Sequence, residues 1–219
     1  MSYMGKLVVV DQMNPTDAIV TQAVTVAREG GILIMPTDSV YGIGAAAIPN
    51  NPGYRRIFEI KHRPATQTLP WLIGRKTDLQ IYASIVYDWV FKLADAYWPG
   101  ALTLVVEASE NVPKEYVLPE DNTIALRMPA SPLVCQIVQK LGVPLATTSA
   151  NTHGAPSAID SIGLEKSLID EADLTFDGGH APLAVASTIV DCTGKNPRIL
   201  REGAIACQDI FTTVGFGEE

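Results

Sequence analysis

Lys61 and Arg63 stand one residue apart, directly before Pro64, where a helix-like run from Asn51 to Ile60 ends. A lysine ammonium is a point charge on a flexible stem and an arginine guanidinium is a planar fork of donors. The pair can therefore hold different parts of one polyanion. The same two residues also suit a plainer role, since cations complement the negative end of a helix dipole. Both readings stay open on this segment alone. Two other stretches put polar groups where α/β folds tend to hold ligands, directly after an apolar strand. Pro36-Thr37-Asp38-Ser39-Val40-Tyr41-Gly42 follows Ile32 to Met35, and Ser149-Ala150-Asn151 follows Val143 to Thr147.

The elements that must position these groups are visible in the hydrophobic pattern. Ile19, Val20, Ala23, Val24 and Ala27 keep a helical period after Asn14-Pro15, which suggests an N-cap and a first-turn proline, and Gly30-Gly31 ends the run. Helices are also expected up to Lys61, over Val86 to Ala96, Pro132 to Leu141, Ile162 to Ile169 and Cys207 to Val214. Strands are expected over Lys6 to Val10, Ile32 to Met35, Leu69 to Ile73, Leu102 to Val106, Thr123 to Met128, Val143 to Thr147, Asp173 to Phe176, Thr188 to Asp191 and Arg198 to Leu200. Helices and strands alternate without a repeat or flexible linker, the pattern of a three-layer domain around a mixed, mostly buried sheet.

Composition narrows the function classes. Hydrophobic residues at 47% and charged residues at 18% exclude a disordered chain. The net charge of −8 makes the chain a poor general partner for nucleic acid, whose binding rests on phosphate neutralisation. Any tRNA or duplex-RNA contact is expected to be weak and to need a local basic groove. Cys135, Cys192 and Cys207 lack metal-ligand spacing and read as core residues in a reducing compartment. No apolar run approaches a membrane span, so a soluble cytoplasmic protein is expected.

Several patterns fail. Gly42-Ile43-Gly44-Ala45-Ala46-Ala47 has the letters of a dinucleotide fingerprint, but Pro49, Asn50, Asn51 and Pro52 forbid the helix it requires, so it reads as small residues that let strands pack closely. There is no Walker-type loop and no nucleophile elbow. His153 after Ser149 does not make a triad, and His180 after Gly178-Gly179 reads as a turn residue.

Together, Pro36 to Gly42, Lys61-His62-Arg63-Pro64 and Thr148-Ser149-Ala150-Asn151 resemble the YrdC-like family, the threonylcarbamoyl-AMP synthases, whose signature is Lys-x-Arg with a distant Ser-x-Asn. Trp98-Pro99-Gly100, Thr123 to Pro129, Asp177-Gly178-Gly179, Ser187-Thr188-Ile189 and Leu200-Arg201-Glu202-Gly203 also match, in order, so the resemblance runs from about Asn14 to Gly203. It implies an α/β fold (α+β in some schemes): a single domain over 1–219 with a twisted mixed sheet of about seven strands around a concave active site. The length suggests the short, single-domain type, with 215–219 as a frayed tail.

The implied activity is a nucleotidyltransferase reaction in tRNA modification. L-threonine, bicarbonate or CO2 and ATP give threonylcarbamoyl-AMP and pyrophosphate, and a partner tRNA threonylcarbamoyl transferase uses the product. By similarity Lys61, Arg63, Ser149 and Asn151 are the catalytic group and hold the triphosphate, joined by Gln67, Thr123, Ser157 and Arg201 around the nucleotide. Thr37, Ser39, Arg127, Thr147 or Thr148, and Ser187 are implied for threonine, with Arg127 as the carboxylate fork. Thr37 and Thr123 are also compatible with ordinary strand ends, and Ser157 with a turn. Mg²⁺ is expected with ATP, but no carboxylate cluster marks protein ligands for it. The chain departs from relatives at Ser39, where many have threonine, at Leu72, where longer ones have histidine, and at Gln67, where an asparagine is usual. A non-catalytic YciO-like RNA-binding or ribosome-assembly factor is the alternative, although that branch looks degenerate at Lys-x-Arg and Ser-x-Asn. Hydrogenase maturation proteins share the domain but carry further zinc-finger and acylphosphatase-like parts.

Overall fold

Ten strands in a computed structural model of the chain form one mixed sheet, described over residues 6–64, 67–117, 120–152 and 154–215. They are β1 (Lys6–Val9), β2 (Leu33–Met35), β3 (Gly42–Ala46), β4 (Trp71–Leu72), β5 (Leu102–Glu107), β6 (Thr123–Arg127), β7 (Leu145–Ser149), β8 (Leu174–Asp177), β9 (Thr188–Asp191) and β10 (Arg198–Arg201). Their spatial order is β1-β8-β2-β3-β7-β4-β6-β5-β9-β10. The pairs β1/β8, β2/β8, β4/β6 and β5/β9 are parallel and the others antiparallel.

The helices are α1 (Asp17–Arg28), α2 (Pro52–Ile60), α3 (Asp78–Tyr82), α4 (Asp88–Tyr97), α5 (Pro132–Leu141), α6 (Lys166–Glu171) and α7 (Cys207–Val214). Strand pleating sends alternate side chains to opposite faces. Leu33 and Met35 of β2 join the core under α1 and α5, while Ile32 and Ile34 join the core under α2, α4 and α7. Each such fully buried Leu or Ile contributes about 1.5–3 kcal/mol. The sheet is thus filled from both sides, and the described residues contain no helix long and apolar enough to cross a membrane.

The α/β class and three-layer arrangement stand, but the sheet has ten strands rather than about seven. β3 is built from Gly42-Ile43-Gly44-Ala45-Ala46, which offers a single β-branched residue and so little strand signal. It lies so close to β7 that a Cβ on Gly42 would come within 2.8 Å of Thr147 Cγ2. The other nine strands match segments that the hydrophobic pattern marks, so the lower count came from the resemblance. α1 starts at Asp17, because Thr16 accepts the Ile19 N–H as N-cap, whereas Asn14 is held by Asp11 in a turn of its own. α6 starts at Lys166; Ile162 is 92% exposed in the turn before it, where Asp160 accepts the Gly163 N–H. Ala65, Thr66, His153 and all of the expected tail except Gly215 lie outside the described residues.

α2 carries the Lys-x-Arg pair. Buried Asn51 caps it by accepting the Gly53 N–H at 2.8 Å while donating to Ala46 O at 2.6 Å, and Pro52 sits in its first turn. Asn51→Ala removes the cap and leaves the Gly53 N–H without its acceptor, while Ala46 O keeps the Ile48 N–H, so unfolding stability should fall by about 1–2 kcal/mol. Urea denaturation checks this; a loss below about 0.5 kcal/mol would contradict the capping role.

Candidate active site

The far end of α2 closes as a Schellman turn. Arg63 N–H donates to Phe58 O, His62 N–H to Glu59 O, and His62 takes φ +51° between them. The turn sends the two cations in different directions. Lys61 is only 2% exposed, and its ammonium donates to the carbonyl of Ser149 at 2.5 Å and to that of Asn151. Arg63 is half-buried, with Nη1 on Thr148 Oγ1 at 3.2 Å and Nη2 on Thr68 O at 3.3 Å. Its Nε is buried and has no hydrogen-bond partner among the described residues. Burial, and then the neighbouring Arg63 charge, push Lys61 down to about 8, against a smaller upward pull from Glu165.

A cavity of about 260 Å³ opens beside Arg63 at the ends of several strands. Thr37 and Ser39 enter it from the loop after β2, Gly42 from β3, and Thr147, Thr148 and Ser149 from the end of β7. Leu72, Thr103, Arg127, Ser187, Arg201 and Ser157 complete most of the wall. Register explains this convergence: Gly42 pairs with Ser149, Leu72 with Arg127, and Thr103 with Ile189. Three arginines and a set of hydroxyls face the space, and its described lining contains no Asp or Glu, in a chain of net charge −8. Burial pushes all three guanidinium pKa values down. An anion in the cavity would offset that desolvation cost.

Arg127 is the most constrained of the three. Nη2 pairs with Asp38 Oδ1 at 2.6 Å, Nη1 donates to Ser39 Oγ at 2.7 Å, and Nε donates to Gly100 O at 3.0 Å. Asp38 Oδ1 also accepts the Ala130 N–H at 3.0 Å, which ties the turn after β6 to the loop after β2. A guanidinium has five donors, so one on each terminal nitrogen is left for a ligand carboxylate. At the other wall, Arg201 Nη2 donates to Ser187 O at 2.8 Å, and Ser187 Oγ lies 2.9 Å from Thr103 Oγ1.

A family profile named Sua5_yciO_yrdC, described as telomere recombination, matches residues 25–203, most of the chain. The chain belongs to the Sua5/YciO/YrdC family. Among the relatives, the threonylcarbamoyl-AMP synthase of Pyrococcus abyssi (strain GE5 / Orsay) is 35% identical over 188 residues, 86% of this chain and 55% of that protein. The chain therefore spans little more than half of that relative. A putative threonylcarbamoyl-AMP synthase of Mycobacterium tuberculosis (strain H37Rv) is 32% identical over 197 residues, 90% of this chain and 89% of that one. The structure of P. abyssi Sua5 complexed with L-threonine superposes with TM-score 0.87 at 32% identity, covering 96% of this chain and 61% of that one. Escherichia coli YciO superposes with TM-score 0.81 at 26% identity, covering 91% and 96%.

Within this Sua5/YciO/YrdC fold, Arg63, Ser149, Ser157, Arg201, Thr37, Ser39, Arg127, Thr147, Thr148 and Ser187 all line the one cavity. Lys61 and Asn151 lie behind its wall, each at most 7% exposed; Asn151 is held to Ser149 through their side chains and donates to Ala155 O at 2.7 Å. Gln67 is exposed and outside the lining. Thr123 lies at the opposite end of β6 from Arg127, its hydroxyl on Asp121 at 3.0 Å. Sequence reasoning placed Asp38 among the polar groups after β2 without its Arg127 partner, and gave no separate role to Thr103 or Tyr41. The Tyr41 hydroxyl donates to Gly179 O at 2.7 Å and pins the loop after β8 beside the cavity. A hydroxyl within the apolar run Leu102 to Val106 was the available signal for Thr103. Among the described residues, no group of three or more His, Cys, Asp and Glu side chains is placed to hold a metal.

Proposed function

We propose that this chain is a threonylcarbamoyl-AMP synthase, joining L-threonine, bicarbonate or CO2 and ATP with release of pyrophosphate. The observation that carries the reading is Arg63: a cavity-facing guanidinium whose Nε has no partner among the described residues, in a space lined by two further arginines and hydroxyls. In the reaction a carbamate oxygen of N-carboxythreonine attacks the α-phosphorus, and the bond to pyrophosphate breaks as negative charge gathers on the leaving group. Fixed cations and hydroxyl donors stabilise that charge without reorganising. Arg63 grips the phosphates directly. Lys61 contributes its field and fixes the wall that bears Ser149. Arg127 offers its two remaining donors to the threonine carboxylate, with Ser187 and the Thr147 and Thr148 hydroxyls nearby. Mg²⁺ enters on the triphosphate, since the described lining supplies no carboxylate.

The reading carries with it a tRNA threonylcarbamoyl transferase as the downstream user of the product, and a cytoplasmic location. The YciO-like alternative is less favoured because Lys61, Arg63, Ser149 and Asn151 are all present. Pyrophosphate release measured with ATP, L-threonine and bicarbonate tests the proposal, and release that does not depend on threonine would sink it.

Lys61 makes the site pH-sensitive. With its folded pKa lowered from 10.5 to about 8, the ammonium persists below about 8 and is lost above it. ATP affinity should therefore weaken as pH rises through that value, by at most about tenfold per unit. Stability moves the other way, because the unfolded chain holds more protons than the folded one between about 8 and 10.5. An ATP dissociation constant that stays flat from about pH 7 to about pH 10 would remove the Lys61 charge from nucleotide binding.

A further inference from the structure

Residues 149–152 run between two hollows. Ser149 faces the 260 Å³ cavity, while Thr152 lines a second hollow of about 410 Å³ on the other side, between α2 and α6. Ala150 is anchored in the core at 1% exposure and its N–H donates to Tyr41 O at 2.8 Å, whereas Asn151 and Thr152 beyond it are held by polar contacts. Lys61 supplies one set by donating to the carbonyls of Ser149 and Asn151. The complementary set comes from an anion. Glu165 Oε1 accepts the Thr152 N–H at 2.7 Å and Oε2 accepts the Thr152 hydroxyl at 2.5 Å. Glu165 is itself fixed by the first turn of α6, where its carbonyl accepts the Leu168 and Ile169 N–H groups. A cation thus holds the carbonyls of the loop while a carboxylate holds the next N–H, each matched to the dipole it meets.

We propose that Glu165 is a positioning residue of the nucleotide site, acting through Thr152 to hold Ser149 and Asn151 in place for phosphate binding. The inference rests on the cavity being a nucleotide site, as in the function proposed above. Glu165 touches no part of the cavity and is partly exposed, so its replacement leaves the folded core alone. Its removal should loosen the Ser149 wall while sparing the opposite wall, where Arg127 and Ser187 stand.

Calorimetric titration of ATP into wild type, Glu165→Ala and Glu165→Gln, with threonine KM measured alongside, tests this. Glu165→Ala should weaken ATP binding by about tenfold or more and shift threonine KM by less than about threefold. Glu165→Gln should recover most of the ATP affinity, because its amide oxygen can accept the Thr152 N–H and its amide nitrogen can donate to the hydroxyl. Thr152→Val, which keeps the N–H and loses the hydroxyl, should fall between them. Equal ATP affinity in wild type and Glu165→Ala overturns the inference, as does a parallel loss for ATP and threonine that Gln does not rescue. If wild type binds ATP but releases no pyrophosphate, the proposed function falls and the titrations still decide the role of Glu165. If wild type binds no ATP, both fall.

Discussion

Replacing Arg63 by alanine is expected to cut product formation by at least about 10²–10³-fold while leaving the fold intact. The side chain makes two long hydrogen bonds, to Thr148 Oγ1 at 3.2 Å and Thr68 O at 3.3 Å, and its Nε has no described partner. Little of its interaction capacity is spent on the protein itself, so its loss should change stability by less than about 1 kcal/mol. Arg63→Lys keeps the charge but not the fork, and should recover only part of the rate. Pyrophosphate release at saturating ATP, threonine and bicarbonate reads the effect, with a thermal melt as control. Turnover within about threefold of wild type would remove Arg63 from the phosphate grip.

Arg127→Ala should act differently, with two effects that separate cleanly. The threonine requirement should rise by about 100-fold or more, while ATP affinity changes by less than about threefold. Stability should also drop by about 3–5 kcal/mol, because Asp38 would be left as a buried charge without its partner. The double variant Arg127→Ala/Asp38→Asn removes that charge and should regain much of the stability without restoring threonine use. Steady-state kinetics and urea denaturation on the same samples distinguish the two. A single variant with an unchanged threonine requirement would refute the carboxylate role and leave Arg127 as the structural partner of Asp38.

Much of the site was legible because its residues sit where the pattern changes from apolar strand to polar loop. Thr37, Ser39, Ser149 and Arg127 mark such ends, and all four face the cavity. The Lys-x-Arg spacing was legible as a pair of cations but not as a Schellman turn, since His62 gives no hint that it adopts positive φ. That turn is what buries Lys61 under the wall and leaves Arg63 facing the cavity. The pairing of Asp38 with Arg127 could not be read either: they are 89 residues apart and meet only through sheet register. β3 escaped recognition for a related reason. Its small residues answer to the closeness of β7, a tertiary demand that local propensity does not record.

The cavity walls come from almost the whole length of the chain, from Thr37 after β2 to Arg201 at the end of β10. No early fragment can hold the complete constellation, and β10 is an edge strand that reaches the site only by pairing with β9. Contacts of such long sequence separation close slowly and late in folding. The complete cavity therefore requires that β10 be docked. A ligand that needs the complete cavity stabilises molecules in which β10 has docked and gives nothing to those in which it has not.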